Sequence, residues 1–213
     1  MRAVVMREFG PPRVLEPAEV EEVLAGPDEV VIDVEFANVT FVETQVRAGK
    51  PPHPSMLPTL PAILGNGVGG VAARVGGLPA GADGVVAGVG GLQVGVGACL
   101  AGRRVVASLN GTGGYAERAV SPTGRLIEVP DGVAMREAVA LLADGRTALA
   151  LADRAALRAG DMALSRAALA EAAAGRLRPV IGQEFELADA ASAHAAIEAR
   201  TTIGKTLLTV PRR

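Results

Sequence analysis

The chain has 213 residues, of which 49% are apolar and 21% charged, and its formal net charge is −2. This composition is typical of a globular protein with one good core or two small ones, and it excludes bulk disorder. The near-neutral charge and the 2% of aromatic residues give no basis for binding nucleic acid or an anionic membrane surface. The single cysteine, Cys99, excludes an internal disulfide and a thiolate-rich metal site.

The sequence shows no targeting or membrane-spanning segment. No apolar run reaches the length that a bilayer requires, and the apolar start at residues 1–6 is followed at once by Arg7 and Glu8. We therefore expect no signal peptide, and a cytoplasmic location.

The predicted strands are short and separated by Gly and Pro turns. In residues 29–37, apolar side chains alternate with Asp33 and Glu35, a pattern that favours a half-buried antiparallel strand. This spacing of short strands predicts a small β-barrel or sandwich. The other predicted strands are 2–6, 103–108, 115–120, 125–129 and 204–210.

Three segments outside residues 158–175 have helical patterns, and one segment excludes a helix. Residues 41–48 predict a short helix that ends at a glycine, and residues 134–157 a longer one. Residues 186–200 predict a further helix, with Asp189 as its N-terminal cap. Five prolines make residues 51–61 a rigid non-helical passage.

Residues 71–101 contain an internal duplication. The segment 71–78 recurs, with changes, as 85–92, and both copies are rich in glycine. One copy would suffice to reach the next strand, so we interpret the excess as a Gly-rich loop that is costly to order. An additional hairpin of the barrel is the alternative.

The segment from Arg158 to Gly175 begins with the pattern of a buried strand and continues with the pattern of a helix. A turn through Gly160 and Asp161 leads into the apolar residues 162–164, as a buried parallel strand would open. The run stops at Ser165, and residues 166–175 predict an Ala-rich helix closed by its terminal glycine. A strand, Gly-rich turn and helix that would bind a dinucleotide are therefore not expected here.

Residues 65–70 match the pattern G-x-G-x-x-G. A dinucleotide site needs a strand before this pattern, a helix after it and an acidic residue about twenty positions further on. Proline breaks the segment upstream, and glycines interrupt the one downstream. We therefore interpret the match as accidental.

Thr40 and Glu43 have two compatible interpretations. Thr-x-x-Glu before an apolar helix is a capping box, in which the two residues satisfy free N–H groups of the first turn. The second interpretation, a place in a substrate pocket, comes from the family resemblance below.

Several motifs, in this order, resemble the zinc-free quinone oxidoreductase branch of the medium-chain dehydrogenase/reductase superfamily. They are the Pro61–Val71 turn and strand, Gly113-Gly-Tyr-Ala-Glu117, Val129-Pro-Asp-Gly-Val133, the helix with Thr147, the Phe185–His194 segment and Gly204-Lys205. The resemblance implies a mainly β, α+β fold with peripheral helices, a GroES-like partly open β-barrel. The resemblance also implies that the nucleotide-binding Rossmann domain of that family is missing at residues 162–175.

This resemblance also divides the chain and assigns its functional residues. It makes residues 1–161 the main part of the GroES-like catalytic domain, 162–175 a junction helix, and 176–213 the return to that domain. It implies NADPH-dependent reduction of a quinone or enone. The implied substrate pocket holds Asn38, Thr40, Glu43 and Asn66, with Arg47 and Gly49 following, and the implied cofactor-edge residues are Thr147 and Lys205. Tyr115, which could be mistaken for a general acid, is implied to support the barrel.

The resemblance implies that no zinc is bound. The positions at which the superfamily's zinc enzymes carry a Cys and a His hold Thr40 and Asn66 here, and neither side chain is a plausible zinc ligand. His53 and His194 are isolated and are interpreted as surface or helix residues.

Three functions stay open at this point. The first is a reductase by descent that is active only if another chain supplies the nucleotide domain. The second is a non-catalytic module that binds a partner or forms a homo-oligomer, because the surface that a Rossmann domain would cover is left as an exposed apolar patch. The third is a truncated remnant without a function of its own.

Overall fold

The computed structural model describes residues 1–76, 100–152 and 162–211. The strands are β1 Arg2–Met6, β2 Leu15–Glu19, β3 Glu29–Val39, β4 Gly67–Val75, β5 Arg104–Ser108, β6 Arg118–Pro122, β7 Ile127–Glu128, β8 Ile181–Glu186 and β9 Lys205–Thr209. The helices are α1 Phe41–Arg47, α2 Met135–Ala152, α3 Met162–Ala173 and α4 Ala190–Glu198.

Within these residues, strand β3 lies at the centre of the main sheet. The sheet has seven strands in the order β7-β5-β4-β3-β9-β8, and β6 pairs with β3 as well. The pairings are antiparallel except that of β8 with β9. β1 and β2 form a separate antiparallel pair. Neither sheet closes, so the predicted mainly β, partly open architecture with peripheral helices is confirmed.

The two faces of the main sheet bury two apolar clusters. The larger cluster includes Ile32 and Val34 of β3 and Val4 and Met6 of β1, and α4 covers part of it. The smaller one lies under α2 and α3 and includes Val106, Val139 and Leu207. Alternation puts Val30, Ile32 and Val34 on one face of β3, and the register shift between Val34 and Phe36 turns Phe36 to the other face.

Most predicted elements are present with small changes in their ends. The predicted strands at 2–6, 29–37, 103–108, 125–129 and 204–210 correspond to β1, β3, β5, β7 and β9, and the helix at 41–48 to α1. β6 begins at Arg118 rather than at residue 115. α2 is described to Ala152, and the rest of the predicted helix to residue 157 lies outside the described residues.

One local prediction was wrong, and two strands were missed. The predicted Ala-rich helix corresponds to α3, which packs on α2, and residues 162–164 form its first turn. Asp189 occupies the N-cap position of α4, but its side chain makes no capping hydrogen bond. Strands β2 and β8 were not predicted. The duplicated segment is described only at residues 71–76 and 100–101, so the choice between loop and hairpin lies outside the described residues.

Candidate functional site

The first turn of α1 fixes the position of Glu43. Thr40 is the N-cap, and the predicted capping box is present. The backbone N–H of Thr40 donates to Oε2 of Glu43 at 2.7 Å, and the Thr40 hydroxyl donates to the same oxygen at 3.1 Å. The carboxylate of Glu43 is thereby turned back towards the end of β3.

The carboxylate of Glu43 is buried and fully engaged. Its Oε1 accepts a hydrogen bond of 2.7 Å from the backbone N–H of Asn66, and its Oε2 accepts one of 3.2 Å from the hydroxyl of Tyr115. Burial raises the pKa of Glu43 above its ordinary value, although these hydrogen bonds act in the opposite direction. The structure thus places Thr40, Glu43 and Asn66 together, in a network that ties α1 to the start of β4.

Tyr115 extends this network to α4. Its hydroxyl lies 3.0 Å from Nε2 of His194, and the two rings meet edge to face. Burial, and then the nearby Glu43 carboxylate, hold the pKa of Tyr115 well above its usual range. Because the Tyr115 hydroxyl donates to Glu43, Nε2 of His194 carries the proton and donates to the tyrosine oxygen. Tyr115 is fully buried and ties barrel elements together, as the family resemblance implies.

His194 is fully buried on α4 and is neutral. Its Nδ1 has no hydrogen-bond partner, which fits an unprotonated ring nitrogen. Burial, and then the positive charge of Arg47, lower the pKa of His194 from its ordinary 6.5 to about 3. The sequence interpretation of His194 as a helix residue is correct, but the periodicity of the short helix did not reveal that it is buried.

We expect the stability of the protein to fall on acidification because of His194. Between pH 6.5 and about 3 the unfolded chain binds a proton on this histidine that the folded chain does not. The free energy of unfolding therefore decreases as the pH falls through this range, by about 2 kcal/mol between pH 7 and pH 5. The raised pKa of Glu43 has the opposite sign, since the folded chain binds that proton more readily.

A His194→Gln variant separates the effect of His194 on the pH dependence of stability from that of Glu43. Urea unfolding at pH 7 and pH 5 should show a smaller loss of stability in His194→Gln than in the wild type. His53→Gln is the matched control, because His53 is exposed and its replacement should leave the wild-type pH dependence intact. Equal losses in His194→Gln and the wild type would contradict the assignment.

Arg47, implied to follow the pocket, points instead into the protein. It is 1% exposed, its Nη1 donates to the carbonyl of Gly10 at 2.9 Å, and its Nη2 donates to the carbonyl of Thr44 and to the Glu198 carboxylate. It thus joins α1, α4 and the segment before β2. This is a structural contact between elements and leaves Arg47 with no access to a substrate.

Asn38 and Asn66 are both neighbours of Gly67, Asn38 on the adjacent strand β3 and Asn66 as the preceding residue of the chain. Oδ1 of Asn38 accepts a hydrogen bond of 3.2 Å from the backbone N–H of Gly67. Oδ1 of Asn66 accepts one of 2.9 Å from the backbone N–H of Gly111 and one of 3.3 Å from the hydroxyl of Ser108. Backbone N–H groups only donate, so these contacts settle which end of each amide is the oxygen. Ser108 had no sequence signal that linked it to this position.

The implied cofactor-edge residues lie near each other, Thr147 on α2 and Lys205 on β9. Nζ of Lys205 lies 3.0 Å from Oδ2 of Asp144, one turn before Thr147 on α2. The lysine side chain is only 12% exposed, and this carboxylate is its ion-pair partner. Thr147 is exposed on α2.

The G-x-G-x-x-G pattern lies in a sheet, not in a turn that leads to a helix. Gly67 to Gly70 belong to β4, which pairs with β3 and β5 on its two sides. The prediction that the match is accidental is confirmed, since a dinucleotide site needs the free N–H groups of a helix N-terminus after these glycines.

The described residues contain neither a cluster of metal-ligating side chains nor a membrane-spanning helix. Among residues 1–76, 100–152 and 162–211, no group of three or more His, Cys, Asp or Glu side chains is placed to hold a metal ion. No helix in these ranges has the length and apolar character needed to cross a bilayer.

Comparison with known proteins agrees with this architecture. The alcohol dehydrogenase GroES-like domain model matches residues 26–131, and the zinc-binding dehydrogenase model matches residues 80–208. The fold is therefore that of the medium-chain dehydrogenase/reductase superfamily. The chain belongs to the zinc-binding dehydrogenase family. A comparison with curated protein sequences gave no match.

Solved structures with the same fold are distant in sequence. The quinone oxidoreductase from Coxiella burnetii superimposes with a TM-score of 0.80 at 14% identity, over 99% of each chain. The human synaptic vesicle membrane protein VAT-1 homolog-like protein gives 0.76 at 17%, over 100% of this chain and 99% of the other. The quinone oxidoreductase from Thermus thermophilus, also solved with NADPH, gives 0.68 at 20%, over 98% of this chain and 100% of the other.

Proposed function

We propose that the chain is the acceptor-binding half of an NADPH-dependent reductase of quinones or enones, and that it reduces its acceptor only when another chain supplies the nucleotide site. The family, and the quinone oxidoreductases among the structures that it resembles, support the reaction class. The division into residues 1–161, 162–175 and 176–213 is part of this proposal. So are a cytoplasmic location and a metal-free reaction, since Thr40 and Asn66 are poor zinc ligands.

The observation that carries the proposal is the position of Gly67 to Gly70 inside the sheet, as part of β4. Dinucleotide affinity requires a parallel strand, a Gly-rich turn and a helix whose first N–H groups meet the pyrophosphate. In the described part of the chain, the one parallel pair is β8 with β9, and β8 leads to α4 through Leu187–Asp189 without a glycine. The described residues therefore do not fit NADPH.

Lys205 does not compensate for this lack. Its ammonium group is already paired with Asp144. A single lysine–phosphate contact at a surface contributes about 1 kcal/mol or less. We therefore expect NADPH to bind with a dissociation constant no tighter than about millimolar.

A non-catalytic module that binds a partner or a second copy is the alternative function. Val180 and Ile203 are exposed to 64% and 79%, and both flank the outer strand β8. Large exposed apolar side chains beside a sheet edge are typical of an interaction surface. This surface is compatible with both functions, since a chain that supplies the nucleotide site must also be bound.

A turnover assay separates the two functions. The purified full chain is mixed with NADPH and duroquinone, a fully substituted quinone that does not alkylate Cys99, and the loss of NADPH absorbance is followed. We expect no oxidation above the uncatalysed rate, together with measurable binding of duroquinone. Catalysed oxidation by the chain alone would contradict the need for a second chain, and a failure to bind the quinone would favour the non-catalytic module.

A further inference from the structure

We propose that Asn38 and Asn66 form a pair of amide donors that binds the carbonyl oxygen of the acceptor. This inference rests on the proposed function and deepens it, since it names the atoms that recognise the acceptor. It assigns a carbonyl-binding site to the face of the main sheet that carries α2.

The site lies where the apolar part of this face ends. Phe36, Gly69 and Val106 pair across β3, β4 and β5. A side-chain carbon at Gly69 would lie 2.4 Å from Val139 and 2.7 Å from Met135, so α2 packs directly on this row. The row is therefore closed to a ligand.

The next row on the same face is polar. Alternate residues of a strand, and residues paired opposite each other, share a face. This polar row lies two positions further along the strands and consists of Asn38, Gly67 and Ser108. Gly67 is paired to Ser108. Leu207, a member of the smaller apolar cluster, is paired to Asn38 on β9 and provides an apolar side wall.

The Asn38 amide lies directly over Gly67. A side-chain carbon on Gly67 would lie 2.6 Å from Nδ2 of Asn38. Any residue other than glycine would therefore displace the Asn38 amide. The hydroxyl of Ser108, paired opposite Gly67, donates to Oδ1 of Asn66. Both amides are thus held along the same polar row.

The orientation of both amides leaves their NH₂ groups as donors. Each Oδ1 is engaged by a backbone N–H, from Gly67 for Asn38 and from Gly111 for Asn66. Within the described residues neither Nδ2 donates to a protein acceptor, and neither is a buried orphan atom. Two fixed, neutral donors suit a neutral carbonyl oxygen, and they stabilise the negative charge that this oxygen gains on reduction. An anionic ligand would call for a cation, which this row lacks.

Ligand binding in the absence of NADPH tests the proposal. Duroquinone is titrated into the purified full chain and followed by saturation-transfer NMR, beside its dimethyl hydroquinone ether, which has the same ring and methyl groups but no carbonyl. We expect the ether to bind about tenfold more weakly, because the hydrogen bonds to the carbonyl are lost.

Two variants and one control locate the donors. Asn66→Asp keeps the oxygen that accepts from Gly111 and removes the NH₂ donor, and Asn38→Ala removes the other donor. Each should weaken duroquinone binding about tenfold. Asn66→Asp alone decides the test if Asn38→Ala does not fold, as judged by circular dichroism. Asn110→Gly is the control. Asn110 is exposed in the adjacent loop with a φ of 60°, which glycine adopts readily, so binding should not change.

The outcomes distinguish this inference from the function on which it rests. Wild-type binding of duroquinone that is equal to that of the ether, or unchanged in Asn66→Asp, would overturn the amide pair and leave the proposed function standing. Absence of any binding to the wild-type chain would overturn the proposed function, and the amide pair with it.

Discussion

Replacement of Arg47 by alanine is expected to lower the free energy of unfolding by about 4 kcal/mol. The guanidinium is 1% exposed and connects α1 with Gly10 and with Glu198 on α4. Its removal leaves a cavity and a carbonyl without a donor. It also separates three segments that are distant along the chain, so the loss is much larger than for a surface ion pair. Urea unfolding of the two proteins measures the difference.

Arg7→Ala is the matched control for this variant. Arg7 pairs with Glu16 at 3.2 Å, but both side chains are more than 60% exposed. An exposed pair of this kind contributes about 1 kcal/mol or less. A loss in Arg47→Ala no greater than that in Arg7→Ala would show that the buried contacts of Arg47 do not stabilise the fold.

Replacement of Gly70 by alanine should be as severe, for a steric reason. A side-chain carbon on Gly70 would lie 1.9 Å from the carbonyl oxygen of Asp33 on the central strand β3. The register of β3 against β4 shifts close by, between Val34 and Phe36, where the two backbones approach. A backbone oxygen in a central strand has no free direction in which to move. We expect a loss of about 3 kcal/mol or more, or failure to fold, measured by thermal unfolding.

Gly124→Ala provides the comparison for Gly70→Ala. A side-chain carbon at Gly124 meets nothing within 4 Å, and the backbone there is not in the left-handed region. This substitution should leave the melting temperature within a few degrees of the wild type. Equal melting temperatures for Gly70→Ala and Gly124→Ala would contradict the close packing of β3 on β4.

The elements that the sequence predicts well are those whose signals are local. The alternation through β3 and the Thr40–Glu43 capping box depend on residues a few positions apart, and both are present in the structure. The Gly65–Gly70 pattern could be rejected as a dinucleotide-binding turn from local signals too, because such a turn needs a strand just before it and a helix just after it. In each case a short segment contains the whole physical reason for its structure.

The elements that were missed depend on distant partners. β2 contains Pro17 and charged residues and is a strand because β1 pairs with it. β8 forms against β9, about twenty residues further on. The burial of His194 follows from Tyr115, 79 residues away, and the anchoring of Asn66 from Gly111, 45 residues away. No periodicity in the sequence reports such contacts, so the candidate site could be predicted only as a set of residues and not as a geometry.

Calorimetric titration of the purified full chain with NADPH tests the central claim most directly. The described residues offer no helix N-terminus after a Gly-rich turn, and Lys205 is already paired with Asp144. The account predicts no saturable binding tighter than about millimolar. Saturable binding in the micromolar range would contradict it, because the chain would then contain a nucleotide site of its own.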